Sequence, residues 1–284
     1  MTGASPTVRQ RELGTRLREL RNGLGLTVDD VAAKLLCSAT KISRMETGAR
    51  RPSLRDVRDL CGIYGVEEPA ADALMNLARA AREQSWWMEY DDLKLSPYIG
   101  LEQEATSITC FTMYHVPGLL QTEGYAQAII KGIAPKIDPK IHQQRVEVRL
   151  LRQQLLERDN LPRYRVLLDE AVLHRRVGGS AVMAAQLDKI LEMEQDAKAA
   201  VQIIPFDIGA HAAQDSNFVL LDFDDPVLPP VVFVEGLINH QYHERKADLD
   251  RYREAVEYLR DSALSPRDSV LRIADMQRAY ASGK

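Results

Sequence analysis

The sequence predicts an all-α N-terminal domain over residues 1–84 and an α+β C-terminal domain over 99–284, joined by a connector at 85–98. Two observations carry this division. The first 84 residues repeat apolar side chains at helical spacing between capping residues and glycines. Four later runs, RYRVLLD (163–169), AVQIIP (200–205), NFVLLDF (217–223) and PVVFVE (230–235), are short and carry aliphatic and aromatic residues, as strands do. A length of 284 residues also exceeds the usual single domain.

Each element has its own signal. Helix 1 is expected from about Arg9 to Asn22 on the stripe Leu13, Leu17, Leu20, after a Ser/Thr/Pro-bearing segment, 1–8, expected to be disordered. Thr27 can cap a helix TVDDVAAKL, with Asp29 and Asp30 in the first turn, where carboxylates suit the positive end of the dipole. Leu36-Cys37 reads as a turn, Ser38 caps the helix SATKISRMET, and Gly48 ends it. Ser53 caps a further helix carrying Leu54, Val57, Leu60 and Cys61, which stops at Gly65. PAADALMNLARAAREQ closes the all-α domain. In the second domain a helix YIGLEQEATSI precedes a strand-like CFTMYHV, and VPGLLQTEGYAQAII begins another helix. Ile141, Val148, Leu151 and Leu155 place a helix at about 139–158, and Ser180 caps one carrying Met183, Leu187, Ile190 and Leu191. Asp224-Asp225-Pro226 supplies a turn that favours antiparallel pairing of the last two strands. A helix with Leu249, Tyr252, Val256 and Leu259 on one face follows, and Ser265-Pro266 opens the last.

The helix after Ser38 is the part that suggests a function. At about 100° per residue, Ile42, Met45 and Glu46 face inward while Thr40, Arg44 and Thr47 face out, with Ser43 on the shoulder. This is a helix-turn-helix whose outer face fits a DNA major groove. Arg44 can contact guanine bidentately, and Thr40 and Ser43 can bond either base edge. Ser38, Lys41, Arg50 and Arg51 flank that face and are placed for phosphate contact, which positions without specifying. The rival reading is a plain helical bundle with a solvated basic face. One such head offers few base contacts, so a homodimer on two half-sites about one helical turn apart is expected.

Charge agrees with the division. Residues 1–65 hold 12 Lys+Arg and 7 Asp+Glu, a net +5; the whole chain is −4, which leaves −9 for the rest. A basic head on an acidic body suits a protein whose head alone meets a polyanion.

These residues also carry a resemblance. Arg18-Glu19-Leu20-Arg21, Leu24-x-Leu26-Thr27, Val31-Ala32, Ile42-Ser43-Arg44-Met45-Glu46-x-Gly48 and Arg51-Pro52 are similar to the helix-turn-helix of the xenobiotic-response-element and phage-repressor family. The resemblance implies that Arg21 pairs with Glu46, locking helix 1 onto the recognition helix. Further on come Trp86-Trp87, Tyr98-x-x-Leu101-Glu102, Val116-Pro117-Gly118-Leu119-Leu120-Gln121-Thr122-x-x-Tyr125-Ala126, Arg149-x-x-Arg152-Gln153, LLDEAVLHRRVGG, VQIIPFDIGAH and FVEG. They resemble the C-terminal domain of a large actinobacterial regulator family that includes WhiJ. That resemblance implies a C-terminal domain without established enzymatic activity, commonly paired with a small BldB-like protein in an antitoxin-like arrangement linked to development or antibiotic production.

Other function classes find little support. No apolar run approaches the ~18–20 residues of a membrane span. The N-terminus lacks the apolar core of a secretory signal. Cys37, Cys61 and Cys110 form no Cys-x-x-Cys pair and suit a reducing cytoplasm. His240-x-x-His243, in a segment that begins or precedes a helix, lacks a third metal ligand. Asp169-Glu170 with His174 and Arg175-Arg176 could form an acid–base cluster, or simply cap a helix. No Walker loop, nucleophile elbow or Gly-x-Gly-x-x-Gly fingerprint occurs. The expectation is a non-enzymatic, cytoplasmic, nucleoid-associated regulator without a cofactor, bound to a double-stranded DNA operator. Its body would take a small protein partner or a small-molecule effector near Trp86, Trp87, Tyr114 and Tyr125.

Overall fold

The computed structural model describes residues 6–82, 96–224, 228–237 and 239–283. Trp86 and Trp87, and Asp225-Pro226 of the expected turn, lie outside the described residues. The chain divides into two compact units, Met1–Glu104 with 223–229, and Ala105–Asp222 with 230–284.

The first unit is helical: α1 (Pro6–Gly23), α2 (Val28–Lys34), α3 (Ala39–Glu46), α4 (Leu54–Tyr64), α5 (Ala70–Ala80) and α6 (Ser96–Glu104). Helix α1 starts three residues before the predicted Arg9, and Val8 in that extra stretch is buried. The predicted stripes meet in one core, where Leu13, Leu17, Val31, Ile42, Met45, Val57 and Leu60 are all almost fully buried. Helix α4 opens on a reciprocal capping box: Asp56 N–H donates to Ser53 Oγ and Ser53 N–H to Asp56 Oδ2. Cys61 is a small core residue. Helix α6, which the sequence placed largely in the second domain, clusters with the helical unit and lies against α1.

The second unit is α+β. Its strands are β1 (Ser107–Thr112), β2 (Arg163–Asp169), β3 (Ala200–Ile204), β4 (Phe218–Asp222), β5 (Val231–Glu235) and β6 (His240–His243), in the sheet order β3-β2-β1-β4-β5-β6. β1, β2 and β3 are mutually parallel; β4, β5 and β6 add on antiparallel. The predicted antiparallel pairing of 217–223 with 230–235 is therefore present. The helices are α7 (Glu123–Ile133), α8 (Pro139–Gln153), the short α9 (Ala171–His174), α10 (Ser180–Gln195), α11 (Lys246–Ser262) and α12 (Pro266–Ala281). Leu249, Val256 and Leu259 of α11 pack on Phe111, Leu167, Phe218 and Val232 of the sheet. The alternate side chains Val166, Leu168 and Ile203 are buried as well, and α10 and α12 lie against β3. Both sheet faces are thus covered, which explains why β2 reads as a near-continuous apolar run.

Two local differences from the sequence reading have physical causes. Ser107 and Ile108, read as helix, belong to β1, where they pair with β2 on one side and β4 on the other. The 240–243 segment is a strand, and its pairing with β5 supplies the hydrogen bonds a helix start would have lacked. Alternation along a strand puts His240 and His243 on opposite faces, so the two imidazoles cannot share one ion. The edge at β3 is closed by the approach to α12: Leu264 N–H donates to Ile203 C=O at 2.8 Å, and Ile203 N–H donates to Ser269 Oγ at 3.0 Å.

Candidate nucleic-acid interface

Three devices hold the outer face of α3 in place. The first is capping at both helices of the motif. Asp30 N–H donates to Thr27 Oγ1 at 3.1 Å and Thr27 N–H to Asp30 Oδ2 at 2.8 Å, while Lys41 N–H donates to Ser38 Oγ at 3.2 Å. The second is a buried ion pair. Arg21 Nε and Nη2 donate to the two carboxylate oxygens of Glu46 at 2.7 and 2.9 Å, and Nη1 donates to Leu26 C=O at 2.8 Å. Both residues are more than nine-tenths buried. The Glu46 hydrogen bond holds the Arg21 guanidinium above its ordinary pKa, outweighing burial. The third is close approach. A Cβ on Gly14 would lie 2.6 Å from Met45 C=O and 2.7 Å from Glu46 C=O, so α1 and α3 touch through backbone. Sequence reasoning passed over Gly14, although a glycine inside a strongly periodic helix is the signal that could have found it.

With α3 so fixed, Ile42, Met45 and Glu46 are buried and Thr40, Ser43, Arg44 and Thr47 are exposed. Arg50 and Arg51 are also exposed, in the loop that follows. That loop is tied to α1, since Gln10 Nε2 donates to Gly48 C=O at 2.6 Å and Arg51 Nε donates to Gln10 Oε1 at 3.3 Å. Burial and the charge of Arg82 pull the Arg51 guanidinium below its ordinary value; it remains a cation at neutral pH. Arg82 itself donates to Pro52 C=O at 3.1 Å and adds a further cation beside the loop. Gln10, which holds the loop, and Arg82, which adds a cation to its rim, lay outside the sequence-predicted set, because only the fold brings them to residues 48–52.

Lys41 sits differently from the exposed arginines. Its ammonium lies 2.6 Å from Asp56 Oδ1 and is only about a fifth exposed, tying α3 to the start of α4. Burial pushes the Asp56 carboxyl up, but hydrogen bonds from Lys41 and Ser53 outweigh it and hold the group below its usual range. Ser38 is exposed and already accepts the cap hydrogen bond.

The turn between the two helices carries strain. Leu36 has φ +51° and is 92% exposed. A left-handed conformation costs a non-glycine residue ~1–2 kcal/mol, against ~0.5–1 kcal/mol for the extra unfolded-state freedom of glycine. Leu36→Gly is therefore expected to stabilise the head by roughly 0.5–1 kcal/mol, read as a higher urea midpoint. A lower midpoint would show that the Leu36 side chain makes a stabilising contact.

In the second unit the residues singled out at 116–125 hold one another. Gln121 is fully buried; its Nε2 donates to Val116 C=O at 2.6 Å and its Oε1 accepts from Arg149 at 2.9 Å. Gln153 donates to both Gly118 C=O and Gln121 C=O, and Gln186 donates to Leu120 C=O. Lys189 donates to Gln121 C=O at 2.9 Å and Gln153 Oε1 at 2.6 Å, and burial pulls its ammonium below the ordinary value. Tyr125 is fully buried and accepts from Val116 N–H at 3.2 Å, so it offers no surface to a ligand. Tyr114 is half exposed, at 52%. The Asp169–Glu170 cluster also makes contacts within the fold. Asp169 caps Ala171 N–H, and Glu170 accepts from Phe206 N–H and pairs with Arg272, while His174 Nε2 stays 3.7 Å away. Burial raises the Glu170 carboxyl, but those partners prevail and hold it below the usual range.

Residues 95–275 match a domain of unknown function, DUF5753, a match that covers more than half of the chain. The chain belongs to the DUF5753 family. In this DUF5753 protein residues 12–74 match a helix-turn-helix domain, which supports a DNA-binding regulator and agrees with the exposed face of α3. No curated protein and no solved structure matches the sequence. Among the described residues of this DUF5753 protein, no helix is long and apolar enough to cross a membrane.

Proposed function

We propose that the protein is a sequence-specific transcriptional regulator of the xenobiotic-response-element type, acting in the cytoplasm as a homodimer on an operator with two half-sites. The observation that carries this is the division of α3. Its inner side chains are locked by packing and by Arg21, while Thr40, Ser43, Arg44 and Thr47 are all exposed beside Arg50 and Arg51. A face of short polar residues with one long donor reads base edges, and the flanking arginines meet phosphate. The body has no catalytic role in this reading. Its polar motif residues at 116–125 and 149–153, with Gln186 and Lys189, hydrogen-bond one another and hold a turn, which suits a rigid surface for a small BldB-like protein or an effector.

The test is a binding titration on a duplex selected from random sequence and on a scrambled duplex, at several salt concentrations. Arg44→Ala is expected to cost ~1–3 kcal/mol on the selected duplex only and to relax preference at one base pair per half-site. Arg50→Ala and Arg51→Ala are expected to weaken both duplexes alike, each lowering the salt slope by about one. Lys41→Ala should change the salt slope less than either, because its ammonium is engaged by Asp56. Equal loss on both duplexes for Arg44→Ala would make Arg44 a phosphate contact and remove the proposed reading face.

A further inference from the structure

The end of α2 is a turn shaped for glycine and filled by leucine. Helix α2 closes on two hydrogen bonds: Cys37 N–H donates to Ala32 C=O at 2.9 Å, and Leu36 N–H donates to Ala33 C=O at 3.3 Å. This pair of bonds puts the residue just past the helix in the left-handed region, and Leu36 takes it with φ +51°. Glycine is the usual occupant, because it has no Cβ to clash there. The other left-handed positions described in the same unit, Gly25, Gly48 and Gly65, are all glycines.

The leucine brings the fold no packing in return. Its neighbours Leu35 and Cys37 pack against the core of the helical unit, whereas Leu36 between them is 92% exposed. Ala197 shows that a positive φ by itself does not call for a ligand. Leu36 adds to it a bulky apolar side chain held in water. Strain kept without a compensating contact is a feature of binding positions.

Location decides what covers that side chain. Leu36 stands two residues before Ser38, the N-cap of α3, at the end of the helix that presents Thr40. In a helix-turn-helix the N-terminal residues of the second helix reach the base edges of the major groove. The one methyl group displayed there is the 5-methyl of thymine. A phosphate or a polar base edge gains nothing from a leucine, so an apolar side chain at this end of α3 matches thymine alone.

We propose that Leu36 is a specificity residue of the DNA interface and packs on the 5-methyl group of one thymine in each half-site. The contact rests on the reading of α3 as the recognition helix. It gives the strained turn a use: Leu36 favours thymine over cytosine, which lacks the methyl group, at some loss of stability.

Titrations of the full chain on the duplex selected from random sequence test this, with uracil replacing thymine one position at a time. Uracil removes the 5-methyl group and nothing else. At one thymine per half-site it is expected to weaken the wild type about fourfold, the equivalent of ~0.8 kcal/mol for one methyl group taken out of water. Leu36→Gly should lose about the same factor on the thymine duplex and nothing more on the uracil duplex. Its urea midpoint should rise, so that the loss is not one of folding. Leu36→Met keeps an apolar side chain and should keep the thymine preference. Uracil costing the wild type and Leu36→Gly alike at every position, Leu36→Gly binding as tightly as the wild type, or a selected half-site without thymine would each overturn the proposal. So would a loss in Leu36→Gly that is equal on the selected and scrambled duplexes, which would place the side chain on the sugar-phosphate backbone. A wild-type chain that binds those two duplexes alike would fail the reading of α3 itself, and the Leu36 contact with it.

Discussion

Arg21→Met is expected to destabilise the helical unit by about 3–5 kcal/mol. The reason is the residue left behind. Glu46 is 5% exposed and receives both of its short hydrogen bonds from the Arg21 guanidinium, so removing Arg21 strands a carboxylate inside the core. Arg21 also satisfies Leu26 C=O, and with it the turn that leads into α2. Glu46→Leu alone should be costly for the converse reason. The double variant Arg21→Met/Glu46→Leu should recover much of the loss, since apolar replacements of similar volume often equal or exceed a buried ion pair. Urea unfolding of the four proteins, with amide exchange over residues 6–82 to assign the transition, gives the coupling directly. Strict additivity of the two single changes would sink the idea that the pair acts as one unit.

Gly14→Ala is expected to destabilise the same unit although alanine is the better helix former. The propensity gain is ~1 kcal/mol. Against it stands a methyl group placed 2.6 Å from Met45 C=O and 2.7 Å from Glu46 C=O, backbone atoms that can retreat only if α3 moves as a body. Overpacking of this kind costs ~1–3 kcal/mol, and the displaced recognition helix should lose operator affinity as well. Gly23→Ala is the control, because nothing lies within 4 Å of a Cβ there. It should be neutral or slightly stabilising and leave DNA binding intact. If Gly14→Ala matched Gly23→Ala in both stability and affinity, the close approach of α1 and α3 would not be what seats the recognition helix.

The helix-turn-helix was legible in the sequence because local rules specify it. Thr27, Ser38 and Ser53 each accept the cap hydrogen bond their positions promised, Gly48 and Gly65 take the positive φ that ends a helix, and the period of Ile42, Met45 and Glu46 sets which side of α3 faces out. All of these act within a few residues of one another. Strands β2, β3, β4 and β5 were legible as segments for the same reason.

Their pairing was not legible. The sequence can show that 163–169 and 200–204 are strand-like segments, but parallel neighbours are joined through long crossovers, and which strand lies beside which depends on how the helices cover both faces. β6 was missed because HQYH has no apolar alternation of its own; its order comes from pairing with β5 and from the ring of Phe233, 5.6 Å from His240 and 5.3 Å from Tyr242. The motif at 116–125 reads as part of an effector or partner site because it gathers aromatic, proline and glycine residues. Only the tertiary structure brings Arg149, Gln153, Gln186 and Lys189 onto it and shows those polar groups holding a turn. Lys41 makes the same point at the interface. Its position on α3 follows from the sequence, but its engagement by Asp56, fifteen residues away, is set by the packing of α4. Periodicity and capping are local and survive in a one-dimensional reading; which buried donor finds which acceptor is decided when distant segments meet.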